Sequence, residues 1–195
     1  MKKIVIILSF SIISTFAFSQ ELELVESIKD SDTGIDGLNH AVSVAVSPDN
    51  NHVYVAPRGD FGKVSVFSRD TSTGKLTFIE LVTISGGWTA SKITVSPDGN
   101  HVYLSGLNSS NTIAIFSRDT STGKLTIIEK ISVGERSTSN TVSFDNKNVY
   151  VTSWNDYSLH NLTRNTSTGK LTSLESFNDP WCGCLFIPAT GERLC

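Results

Sequence analysis

The sequence predicts an all-β fold assembled from repeated four-stranded units, and three observations carry that prediction. The chain repeats itself: SVAVSPDNNHVYVA near residue 43 returns as KITVSPDGNHVYLS near residue 92 and as NTVSFDNKNVYVTS near residue 140. A second string, FSRDTSTGKLT, begins at Phe67, recurs unchanged from Phe116 and varies to LTRNTSTGKLT from Leu162, which sets a period of roughly 49 residues. Within each copy apolar residues alternate with a period of two, and no amphipathic helical pattern separates the copies.

Each strand can be read in turn from the first copy. Val42, Val44 and Val46 alternate with Ala41, Ser43 and Ala45, a strand with small residues on one face. Pro48, Asp49 and Asn50 make a turn, because proline presets the first corner and Asp or Asn tolerates the second. HVYVA is the second strand. KVSVFSR from Lys63 is the third, and it carries Val64 and Val66 on one face and Phe67 on the other, as in a sheet covered on both sides. TSTGK turns the chain again, with Gly74, Gly123 and Gly169 where a positive φ is needed, and LTFIELV from Leu76 is the fourth strand.

Four short strands per copy, each sheet covered by its neighbours, fit radially stacked blades of a β-propeller; a β-sandwich would not require identical units. The expected organisation is a signal peptide over 1–19, a partial strand over 21–29, blades over 41–84, 90–132 and 138–177, and a cysteine-containing tail over 178–195. ELELVES from Glu21 reads as the fourth strand of a blade that lacks its first three. About three blades and one extra strand make an incomplete ring. The first and last blades are therefore expected to present broad apolar faces, and the chain to self-associate or pair with another blade-bearing chain.

Lys2 and Lys3, the apolar run from Ile4 and the small-residue exit at Ala17 to Ser19 form an export signal, with cleavage expected before Gln20. The expected location is the periplasm or the exterior, with no membrane span after cleavage. The formal net charge of −3, about −5 without the signal, and the scattered Lys and Arg exclude a basic stripe for nucleic acid. Cys182, Cys184 and Cys195 are disulfide candidates in an oxidising compartment, a bridge from Cys195 closing a loop of about 12 residues.

The strings SPDGNHVYLS and FSRDTSTGKLT, with the approach GIDGLNHAVSVAVSPDNNHVYVA from Gly34, resemble the YVTN-type repeats of bacterial seven-bladed propellers of the lactonase (6-phosphogluconolactonase-like) family. The resemblance spans about residues 22–177 and implies the blade. The leading functional expectation is an exported binding or assembly module without chemistry; the resemblance implies a lactone hydrolase as the alternative, and a non-functional fragment of a longer propeller is a further one.

The SPD and TSTGK turns fall on one face of such an assembly and are near-identical between copies, as structural turns are. The loops on the other face vary, as ligand-contacting loops do. From them come the candidates for catalysis, His40, Arg58, Glu135 and Arg136, and those for a carbohydrate or other small polar ligand, Asp60, Trp88, Lys92, Trp154 and Asp156. His52 and His101 occupy equivalent strand starts and His160 falls within a strand, so all three read as structural. His40, just before an inner strand, is the one histidine placed as a general base. DSDTGIDG from Asp30 lacks the register of a calcium loop, ending at Ala41 where a bidentate Glu is needed. There is no GxSxG elbow, no HExxH pair and no phosphate-cradling glycine loop. No cofactor or metal is expected.

Overall fold

A computed structural model describes residues 23–30, 32, 34–58, 62–86, 89–107, 112–134, 136–178, 185–187 and 192–194. The segment expected to be an export signal, Asp60, Trp88, Glu135 and the three cysteines lie outside the described residues.

Three four-stranded sheets follow one another along the chain. The first contains β1 (Ala41–Val46), β2 (His52–Pro57), β3 (Lys63–Arg69) and β4 (Leu76–Thr83). The second contains β5 (Ala90–Val95), β6 (His101–Gly106), β7 (Thr112–Arg118) and β8 (Leu125–Ser132). The third contains β9 (Ser137–Val142), β10 (Asn148–Ser153), β11 (Ser158–Arg164) and β12 (Leu171–Asn178), and a short hairpin, β13 (Leu185–Ile187) with β14 (Glu192–Leu194), lies in the tail. Each four-stranded sheet is an antiparallel meander in chain order. The predicted glycines hold the predicted turn: Gly74, Gly123 and Gly169 have φ of 79°, 77° and 73°. The fold is all-β, an incomplete propeller of three four-stranded blades.

The inner strands meet one another across blades. Ser43 Oγ accepts from Ile93 N at 3.1 Å, and Thr94 Oγ1 donates to Asn140 O at 3.1 Å. Asn140 Nδ2 in turn donates to Lys92 O and to Ser105 Oγ. Small and hydroxyl side chains suit this crowded axis because they let three strands approach and still pair their polar groups. Farther out, the blades bury apolar faces against each other. Tyr54, Val64 and Val66 of the first blade meet Val102, Leu104 and Phe116 of the second. Tyr103, Ile113 and Ile115 of the second meet Val149, Val151 and Leu162 of the third.

A polar latch crosses each blade interface at the SPD and TSTGK side. Arg118 is buried and donates Nε to Tyr54 OH at 2.7 Å, Nη1 to Gly99 O at 2.9 Å, and Nη2 to Asp49 Oδ2 at 2.7 Å and to His52 Nδ1 at 2.8 Å. Because guanidinium only donates, His52 Nδ1 accepts and carries no proton. Tyr54 OH then donates to Gly123 O, so every group of the latch has a partner. Arg164 repeats the pattern with Tyr103, Asn146 O, Asp98 and His101, and Tyr103 OH donates to Gly169 O. His52 and His101 are thus structural, as the sequence suggested, but through the latch and not merely as strand starts.

The latch ties stability to pH. Burial opposes ionisation of Asp49, but Ser47, Arg118 and the Asn51 N–H outweigh it and hold the carboxyl at about 2. Burial, then the adjacent Arg118 and Arg164 charges, lowers His52 and His101 below the usual 6.5. All of these groups bind fewer protons folded than unfolded, so acid favours the unfolded chain. Stability is expected to be full above about pH 6.5 and to fall as pH drops through the histidine range and then through the carboxylate range toward 2. Urea melts at pH 8, 5.5 and 3.5 check this; a chain more stable at pH 5.5 than at pH 8 would contradict the latch.

The two ends of the stack differ from the expectation of broad apolar faces. On the first blade, residues 23–30 and 34–38 lie over the outer part of the face: Ile28 and Leu38 line a cleft of about 450 Å³ with Val55, Phe67 and Leu76, and Phe67 is 1% exposed. Residues 23–29 form no ladder. Even so, Glu26 Oε1 accepts from Leu76 N, as Glu80 Oε1 of β4 accepts from Leu125 N one blade on. The segment therefore takes the place of a preceding fourth strand without pairing as one. Only the inner strand of this blade stays open, with Val42, Val44 and Val46 exposed.

On the last blade the outward face has turned polar. The position opposite Tyr in the third strand, Val66 and Ile115 in earlier blades, is Asn161. Asn148 Nδ2 donates to Asn161 Oδ1, and Asn161 Nδ2 to Glu175 Oε1, so the ladder satisfies itself. Leu159 and Phe177 are the exposed apolar remainder beside Tyr150.

Candidate functional site

The loop face opposite the latch carries one recurring main-chain feature. In each blade the residue before the first strand offers its carbonyl to the N–H of the residue just after the second. Arg58 N donates to His40 O at 2.9 Å, Leu107 N to Thr89 O at 2.7 Å, and Trp154 N to Arg136 O at 3.1 Å. Three equivalent pairs, His40 with Arg58, Thr89 with Leu107, and Arg136 with Trp154, therefore stand at the mouth, one pair per blade. Because the inner strands that follow are adjacent, the pairs are ordered around the axis.

The main-chain bond recurs in all three blades while the side chains change completely, and the left-handed backbone is confined to the first and third. His40 and Arg136 adopt φ of 52° and 56°, a left-handed backbone that costs a residue with a Cβ on the order of 1 kcal/mol. Strain of this kind collects where a side chain must be aimed. Between the second and third pairs lies a cleft of about 300 Å³ walled by Leu107, Arg136, Thr138 and Trp154. Trp154 is 68% exposed, so an aromatic face and a guanidinium border the same space.

Four of the sequence candidates, His40, Arg58, Arg136 and Trp154, thus fall on equivalent positions of one surface. Their relation was hidden in the sequence, since nothing in four unlike side chains marks a shared backbone role. Lys92 lies apart, within the inner strand β5, and its carbonyl takes the Asn140 amide. Asp156 belongs to a different group, in the turn between β10 and β11, where its Oδ2 lies 3.5 Å from His160 Nε2.

The arrangement places a candidate general base, two guanidinium groups and an aromatic platform around the mouth. Such a set can bind an anionic or carbonyl-bearing polar ligand, stack on a sugar ring and move one proton.

Comparison with known proteins agrees with this architecture. The family model of the lactonase, 7-bladed beta-propeller matches residues 8–138 and 85–185. A candidate 6-phosphogluconolactonase from Bacteroides uniformis is similar in structure, with a TM-score of 0.69, 23% identity, and coverage of 74% of this chain and 42% of that one. The periplasmic gluconolactonase of Pseudomonas aeruginosa has a TM-score of 0.64 at 22% identity, over 69% of this chain and 39% of its own. A protein from Lactobacillus plantarum has a TM-score of 0.62 at 27% identity, over 68% and 40%. No curated protein matched. The chain spans about two fifths of the length of these solved structures.

Proposed function

This chain belongs to the lactonase family of 7-bladed β-propellers, and from that membership we propose that it opens a sugar lactone at the loop-face mouth. The observation that carries the reading is the equivalence of the mouth pairs: at a main-chain hydrogen bond that every blade repeats, this chain puts His40 with Arg58 and Arg136 with Trp154. The reading is preferred to a binding or assembly module without chemistry, which rested on the uniform repeats, the lack of a familiar catalytic constellation and the small number of blades.

A lactone is an internal ester, so opening it needs water driven onto the carbonyl carbon and a partner for the charge that grows on the carbonyl oxygen. His40 is the group to take the proton from water and to return it to the ring oxygen as the ester C–O bond breaks and the tetrahedral intermediate collapses. Arg136 and Arg58 supply the positive charge that the growing oxyanion needs. Trp154 offers an apolar face to the sugar ring while leaving its hydroxyls wet. The proposal concerns the part of the mouth that these three blades supply.

The purified chain should open glucono-δ-lactone or its 6-phosphate faster than the spontaneous reaction. His40→Ala should lower kcat by about 100-fold or more, and Arg136→Ala by a similar factor. Trp154→Ala should act mainly on KM. A folded chain with no rate above background overturns the catalytic reading. Should such a chain still show a sugar-dependent thermal shift, lost in Trp154→Ala, the mouth is a binding site only.

A further inference from the structure

The two ends of the blade stack carry opposite halves of the latch that joins the blades within it. At each internal interface the earlier blade supplies an Asp carboxylate, a His ring nitrogen and a Tyr hydroxyl, and the later blade supplies an arginine and a glycine carbonyl. The first blade therefore ends in a donor half and the third in an acceptor half.

Both halves already hold the latch posture. Arg69 Nη1 donates to Asn50 O, as Arg118 Nη1 does to Gly99 O and Arg164 Nη1 to Asn146 O. The same carbonyl of the same turn thus positions the guanidinium, and among the described residues nothing takes its Nε or Nη2. At the other end Asp145 Oδ1 accepts from Ser143 Oγ and Lys147 N, as Asp49 Oδ1 does from Ser47 Oγ and Asn51 N. That leaves Oδ2, the oxygen with which Asp49 and Asp98 meet the arginine of the next blade. Asn148 stands at the histidine position and gives its Nδ2 to Asn161, so its Oδ1 is still an acceptor.

Apolar residues of the same two surfaces are bare where their counterparts are covered. Val44 is 60% exposed and Ile93, in the same place one blade on, 1%. Tyr150 is 37% exposed, whereas Tyr54 and Tyr103 are fully buried. Leu159, in the place of Val64 and Ile113, is exposed as well, and the Asn161 ladder beside it satisfies itself and asks nothing of a neighbour.

We propose that a second copy of this chain docks its third blade on the first blade of the other, head to tail, so that Arg69 of one copy bonds Asp145 and Tyr150 of the next. Charge fixes the direction: two first blades would oppose Arg69 to Arg69, and two third blades Asp145 to Asp145. Such a contact is heterologous, so each copy keeps one end free for another unless the arc closes. The incoming blade brings β12 to the place that residues 23–29 hold. Those residues form no ladder, whereas β12 is paired with β11 from Leu171 to Asn178, so the segment yields. Glu175, which matches Glu80 in its strand, then takes over Leu76 N from Glu26.

Sedimentation velocity of the purified chain in reductant, from about 1 to about 200 μM, should show reversible growth from monomer. Arg69→Ala removes the donor, and Asp145→Asn keeps the turn oxygen while setting an amide N–H against the guanidinium. Each should raise the midpoint concentration about tenfold or more. Glu26→Ala should lower it, because the segment then yields more easily. Each of the first two variants retains the half that the other has lost, so their equimolar mixture should form a dimer that stops at two copies. A native chain that stays monomeric throughout, association that both substitutions leave intact, or a mixture no larger than its components overturns the proposal.

Discussion

Replacing Arg118 with alanine is expected to destabilise the chain by about 3–5 kcal/mol, the range found when one partner of a buried ion pair is removed. The side chain is 1% exposed and serves four groups on two blades: Tyr54 OH, Gly99 O, Asp49 and His52. Truncation leaves a carboxylate, an imidazole nitrogen and a carbonyl short of their donor at a blade interface, while Tyr54 loses the hydrogen bond it accepted. At this chain length the melting temperature should drop by roughly 10 °C. Arg118→Lys should recover little, because an ammonium cannot span the fork of acceptors that the planar guanidinium fills.

The equivalent arginine of the first blade supplies the control. Arg69 keeps the contact within its own blade, Nη1 to Asn50 O at 3.3 Å, and is partly exposed. Arg69→Ala is expected to change stability by no more than about 0.5 kcal/mol. Equal losses in urea melts of the two variants would mean that the latch does not hold blades together. At the other end Tyr150 and Asp145 repeat the acceptor half of the latch, and Asp145 is held by its own turn through Ser143 and Lys147 N.

The strand order and turns were legible in the sequence because each rests on local chemistry that recurs. Alternation sets a strand, Pro-Asp sets a corner, and glycine marks a positive φ; three copies make each signal hard to mistake. The latch was present in the same strings, as Asp49, His52, Tyr54 and Arg118, yet its members are up to 69 residues apart and meet only when blades stack. The mouth pairs were half legible. Their side chains stood out as polar and aromatic loop residues, but their equivalence lies in backbone hydrogen bonds that no side chain announces. The face of the last blade was also misjudged, because two covered blades suggested a third like them. The exchange of Val66 and Ile115 for Asn161 is one letter in a repeat, and it puts a self-satisfied polar group where the earlier blades carry a buried apolar one.

The turn glycines offer the second large effect, with one sequence in three surroundings. Gly74, Gly123 and Gly169 occupy the same position of TSTGK with nearly the same φ, so alanine at each incurs the same left-handed backbone penalty of about 1–2 kcal/mol. Beyond that they differ only in what the new methyl meets. At Gly74 the nearest atoms are Val25 methyls at 3.9 Å, an ordinary contact. At Gly123 the methyl would fall 2.2 Å from His52 Cδ2, and at Gly169 the same distance from His101 Cδ2. Each ring is held in place, because its Nδ1 accepts from a buried arginine that also bonds the tyrosine donating to the glycine's own carbonyl. Overpacking of this kind adds about 1–3 kcal/mol. Gly74→Ala should therefore lower stability by about 1–2 kcal/mol, and Gly123→Ala and Gly169→Ala by about 3–4 kcal/mol each. Urea unfolding of the three variants in parallel gives the comparison. Three equal losses would show that the penalty is backbone strain alone and that the TSTGK turns do not press against the histidines of the preceding blades.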